Sequence, residues 1–185
     1  VAAARPWLRL AGVEGYEGSV PGATAAEREA RIADFVGFMG DVARRCVREG
    51  LLDADPVLLS AGGSAYFDLV TSLPRELAGR ATQVVIRSGC YLTHDSDAYA
   101  VAAQRMRART PAVGELGEGL RDALEVWSYV QSRPEPELAI LTMGKRDVSH
   151  DLRLPLPRQI YRPGRDARPA ALPEGCAIIA LNDQH

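Results

Sequence analysis

A chain of 185 residues with a formal net charge of -2 and 46% apolar side chains can bury one sizeable core but not two large ones. No apolar run is long enough to cross a bilayer, and the opening VAAARPWLRL lacks the order of a secretory signal, so no membrane partner is expected and a cytoplasmic location is the default. The arginines are dispersed and the charge is balanced, which argues against nucleic acid, while Cys46, Cys90 and Cys176 show no metal or disulfide spacing and read as reduced thiols.

In chain order, Pro6 to Ala11 (PWLRLA) predicts a short strand that breaks into the glycine-rich loop GVEGYEGSVPG. Thr24, as an N-cap with Glu27 three residues on, opens a long helix. Ile32, Phe35, Val36, Met39, Val42, Ala43 and Cys46 then recur at helical spacing before Gly50. PVLLS (Pro56 to Ser60) predicts a second strand, AGGS a tight loop, AYFDLVTSLP a short helix, and TQVVIRS a third strand running into GCYLTHD. Short apolar strands alternating with helices imply an α/β fold with a helix-covered parallel sheet, as in a β/α barrel of the TIM type. A closed barrel needs roughly 200 residues or more, so the expectation is the second half of one.

After about Pro111 the texture changes to short alternating runs, among them RQIYRPG and CAIIALN, and an antiparallel β region is expected. The domains read as 1–112, the barrel half, and 113–185, an incomplete β domain. The chain starts on Val and stops in what reads as a strand, which suggests a piece of a longer protein. Lys145 is the only lysine.

Two strand-to-loop junctions, LLSAGGSAY and VVIRSGCY, stand at equivalent places. In a β/α barrel both emerge at the C-terminal rim, where active sites lie. Glycines allow backbone N–H groups to approach a phosphate closely and serine adds a hydroxyl, so Gly62, Gly63, Ser64, Gly89 and Cys90 form a candidate phosphate cradle. Tyr16, with Glu14 and Glu17 on the first loop, is a further candidate, either packing or facing a ligand. His94 and Asp95 are open between proton transfer and a structural role, since neighbours in an extended segment point opposite ways.

LAGVEGYEG, LLSAGGSAY, VVIRSGCYLTHDSDAY and LTMGKRDVSHDLRLPLP, in that order from Leu10 to His185, resemble the D-threonine aldolase and D-serine dehydratase group of alanine racemase-like enzymes, which includes amino acid deaminases. The resemblance implies a barrel that binds pyridoxal 5′-phosphate, a β domain, a homodimer, and lyase chemistry on D-amino acids bearing a 3-hydroxyl. Carried over by position, Gly62, Gly63 and Ser64 match one phosphate loop and Ser88, Gly89, Cys90 and Tyr91 the other. Arg87 falls where such enzymes can set an arginine against the pyridine nitrogen; its permanent charge would keep that nitrogen unprotonated. Otherwise Arg87 is a strand-end ion pair.

The resemblance also implies a Schiff-base lysine in an early barrel strand outside this chain. A divalent metal, zinc or manganese, is expected in the full-length protein, on ligands near its C-terminus. Lys145 as that lysine, and Asp147, His150 and Asp151 as metal ligands, are disfavoured, because a Lys-Arg-Asp cluster is commonly a solvated ion network; a terminal His185 does not make a metal site. The alternatives are an amino acid racemase of the same fold and a non-catalytic pyridoxal phosphate-binding protein.

Overall fold

The computed structural model describes residues 7–184. The chain forms two compact units that meet in sequence at Ala123 and Leu124.

In the first unit, strand β1 (Gly12–Glu14) leads through a single-turn 3-10 helix (Glu17–Ser19) to helix α1 (Ala25–Arg48). Thr24 caps α1, its Oγ1 accepting from the Glu27 N–H at 3.1 Å, while the Glu27 carboxylate accepts from the Ala23 N–H. At the other end Gly50 takes φ +66°, the Leu51 N–H donates to Cys46 O, and the Gly50 N–H donates to Val47 O. A left-handed glycine satisfying the last carbonyls in this way stops a helix. The cap and the terminator are both local, and the helix runs where the sequence predicts.

Strand β2 (Val57–Ala61), helix α2 (Phe67–Val70), strands β3 (Glu76–Leu77) and β4 (Arg80–Ile86), and helices α3 (Ala98–Arg109) and α4 (Pro111–Gly114) follow. The sheet order is β1-β2-β4-β3, with β1, β2 and β4 parallel and β3 antiparallel to β4. Ile32, Val36, Met39 and Ala43 of α1 form a core with Val57, Leu59 and Ala61 of β2, joined by Val70, Leu73 and Leu77. Alternate residues of β2 are fully buried because the strand turns every second side chain toward the helices.

The first strand differs from expectation. It occupies Gly12–Glu14 rather than the apolar run from Pro6 to Ala11; Pro6 lies outside the described residues, and Trp7 and Leu8 are exposed. Pairing rather than hydropathy decides the position. The Leu58 N–H donates to Ala11 O, and Gly12 passes so near Leu58 that a Cβ would stand 1.8 Å from its carbonyl oxygen. Only glycine permits that approach.

In the second unit β5 (Val130–Glu135) and β6 (Leu138–Leu141) form an antiparallel hairpin with two irregularities of register. Pro134 lies within β5 and cannot donate to the ladder. Strands β7 (Gln159–Ile160) and β8 (Ala170–Ala171) pair antiparallel. The expected strand CAIIALN does not form: residues 176–182 stay outside any ladder, and the segment is tied by the Lys145 N–H donating to Asn182 O at 2.8 Å. Mixed α/β structure is thus established, with a second unit whose regular elements are all strands.

Candidate functional site

The C-terminal ends of β1, β2 and β4 lie side by side, and the loops leaving them carry every residue nominated as a cofactor contact. Parallel register places Glu14 beside Ser60 and Ser60 beside Val85, so these side chains share the face of the sheet opposite the helices. Arg87, two residues past Val85, lays its guanidinium across that face. Its Nε donates to Ser60 Oγ at 2.8 Å, one terminal nitrogen donates to Gly15 O at 2.7 Å, and the other pairs with Glu14 at 3.2 Å. One side chain thereby spans three strand ends while staying 38% exposed.

The loop after β2 meets the loop after β4 directly. Ser88 Oγ donates to Gly62 O at 2.5 Å, and the Arg87 N–H donates to Ala61 O at 3.2 Å. Gly62 adopts φ +90°, outside the range of most L side chains. Its N–H and that of Gly63 do not face open space. The Gly62 N–H donates to Glu17 Oε2 at 3.2 Å, and the Gly63 N–H donates to Glu17 Oε1. Glu17 is completely buried. Beside it Tyr16 is largely exposed, and a Cβ on Gly63 would stand 3.6 Å from its ring edge. Gly89, Cys90 and Tyr91 form a single 3-10 turn on the exposed side, and a Cβ on Gly89 would meet nothing.

A residue that sequence reasoning passed over joins the two loops. The Tyr99 phenol interacts with Cys90 and Ser64, one from each loop. The bond to Cys90 and partial burial push the phenol up to about 12, against the opposing bond to Ser64. Tyr99 stands in the first turn of α3, where Asp95 Oδ1 accepts from its N–H at 2.9 Å and from that of Asp97 at 2.8 Å. Asp95 is therefore a helix-capping group. His94 is buried at φ +47° with Nδ1 unpartnered, its ring 6.1 Å from that of Tyr99, and it forms no pair with Asp95.

Behind the β2 loop lies a second cluster the sequence did not reveal. Arg109 forks onto Asp68 at 2.6 and 2.9 Å, pairs with Glu29 at 3.0 Å, donates to Ala65 O at 2.9 Å and sits 5.3 Å from the Tyr66 ring centre. Burial works against the guanidinium charge, and the two carboxylates more than offset it, so its pKa is raised. The arrangement fixes the residue next to Ser64.

In the second unit the GKRDVSHD segment is a self-bonded turn. Asp147 Oδ2 accepts from the Gly144 N–H at 2.9 Å, and His150 Nδ1 lies 3.4 Å from Val148 O. Among the described residues no group of three His, Cys, Asp or Glu side chains is placed to hold a metal ion, and His185 falls outside them. Nor is any helix among them long and apolar enough to cross a membrane.

A pyridoxal phosphate group can be tested against these residues. Ser64 and the open turn at Gly89 supply a hydroxyl and the space a phosphate needs, and Arg87 supplies the cation on the adjoining face, while the Ser88 hydroxyl already donates to Gly62 O. The N–H groups of Gly62 and Gly63 already carry an anion. The donor set therefore fits with its centre on Ser64 and the second loop.

What the two units define is a mixed α/β chain with a polar cluster at its parallel strand ends and a β-rich C-terminal portion. Residues 123–185 match the family model described as "Putative serine dehydratase domain", a stretch that begins within one residue of the second unit, and over that stretch the chain is similar to the D-serine dehydratase-like family. No curated protein gives a significant match.

Proposed function

We propose that these residues belong to a pyridoxal phosphate-dependent lyase acting on D-amino acids with a 3-hydroxyl, of which D-serine is the first candidate. The observation that carries this reading is the serine dehydratase match over residues 123–185. The parallel order β1-β2-β4 and the meeting of two polar loops at the strand ends support an arc of a β/α barrel with its mouth on that side.

On this reading the Ser64 hydroxyl and the backbone of the turn Ser88, Gly89, Cys90 and Tyr91 hold the phosphate. Arg87 faces the pyridine nitrogen and, being always charged, keeps it unprotonated. Tyr16 flanks the ring, while Gly62 and Gly63 shape the turn that presents Ser64. When bound, the cofactor supplies an electron sink for the bond broken next to the amine carbon. Tyr99 stands at the junction of the two loops, next to Ser64 and Cys90. The cofactor lysine lies outside these residues, a divalent metal near the substrate hydroxyl comes from elsewhere in the full-length protein, and the working form is a homodimer.

The test is the product formed by the full-length protein with pyridoxal phosphate and a divalent metal. D-Serine is expected to give pyruvate and ammonia. With D-threonine, 2-oxobutanoate and ammonia identify a dehydratase, and glycine with acetaldehyde an aldolase. Bound cofactor with neither amino acid consumed would overturn the lyase reading in favour of a cofactor-binding protein without turnover.

A further inference from the structure

We propose that Glu17 is a positioning residue: its carboxylate is the standing occupant of the Gly62 and Gly63 N–H groups, so the turn after β2 is fixed by the chain's own anion. A cofactor phosphate is then met by Ser64 and the loop from Ser88 to Tyr91; this second half rests on the function proposed above.

Three observations converge. Glu17 has no exposed surface, and each of its carboxylate oxygens accepts from a different backbone N–H of the same turn. A buried carboxylate is tolerated only where such charge-assisted bonds replace its water. The glycines are explained by this contact: Gly62 needs its φ of +90°, and a Cβ on Gly63 would stand 3.0 Å from Glu17 Oε1. A gap beside the turn for a second anion is not required to account for them. Finally, Ser88 Oγ donates to Gly62 O, so whatever fixes Gly62 also fixes the start of the second loop. A phosphate competing for the same two donors would have to displace a fully buried charge or stand against it, and like charges at that distance repel strongly.

Amide spectra of the nitrogen-15-labelled chain, wild type and Glu17→Gln, each titrated with inorganic phosphate, test this. In Glu17→Gln the Gly62 and Gly63 signals are expected to move upfield and to exchange with solvent at least about tenfold faster, with Gly79 and Gly164 unmoved. A general loss of stability would accelerate exchange across the core instead. The wild-type titration needs no variant to fold: phosphate is expected to shift Ser64, Gly89 and Cys90 and to leave Gly62 and Gly63 in place. The proposal is overturned if phosphate moves Gly62 and Gly63 in the wild type, or if Glu17→Gln leaves them unchanged. Silence of every amide toward phosphate contradicts the cofactor site, and with it the second half of the proposal; the variant's shifts then decide the role of Glu17 by themselves.

Discussion

Tyr99 shows how much a single hydroxyl at a loop junction can report. Its bond to Cys90 and its partial burial favour the neutral phenol, so the folded-state pKa of about 12 lies above the ordinary value of 10. A group whose pKa rises on folding contributes stability that is complete below pH 10 and disappears as pH climbs toward 12. Titration of phenolate absorbance is expected to show one of the six tyrosines ionising late, and Tyr99→Phe to remove that late step. Six tyrosines titrating together near the ordinary value would contradict the assignment. Tyr99 was not visible in advance because its partners, Ser64 and Cys90, belong to separate loops and only the fold brings them to it.

Among the elements, α3 is tied to the short helix α2 by a buried ion pair. The Asp68 side chain is fully buried and accepts from Arg109 twice and from Thr110 once. Removing one partner of a buried pair strands the other charge, at a cost of about 3–5 kcal/mol. Asp68→Ala, which leaves Arg109 only Glu29, is expected to lose up to about that much stability by urea unfolding, whereas Glu29→Ala, removing the more exposed carboxylate and its single bond, costs less. Equal and small effects would mean that the cluster is solvated in practice. Local rules made α1 legible, because Thr24, Glu27 and Gly50 act within a turn of the helix they bound. The same rules misplaced β1, whose position depends on Leu58, and gave no hint of Arg109, whose partners lie about 40 to 80 residues earlier in the chain. CAIIALN has the composition of a strand, but composition does not provide a partner strand, and it remains unpaired.

For the chain as a unit, the uneven quality of its two parts matters most. Residues 7–123 own a buried core, while the second unit leaves Leu124, Trp127, Tyr129, Leu152 and Ile179 well exposed. Apolar side chains exposed this often in one short unit favour association. Light scattering across a concentration series is expected to show self-association; a monomer at every concentration would contradict this. The family resemblance was readable in this region because LTMGKRDVSHDLRLPLP is a long ordered motif, and the match over residues 123–185 supports it there. The loops of the first unit were legible as glycine and serine at strand ends. That Glu17 already sits on two of their donors was not, since 45 and 46 residues separate it from its partners.

The cofactor reading stands or falls on whether these loops recognise a phosphate. The affinity of the full-length protein for pyridoxal phosphate should be compared with that for pyridoxal, which lacks the phosphate, in the wild type and in Ser64→Ala. A hydrogen bond to a charged group contributes about 1.5–3 kcal/mol, so the expected result is a preference for the phosphorylated form that falls about 10-fold or more in the variant. Equal affinity for the two compounds in the wild type, or a preference that survives the substitution, would contradict a phosphate site at the ends of β2 and β4.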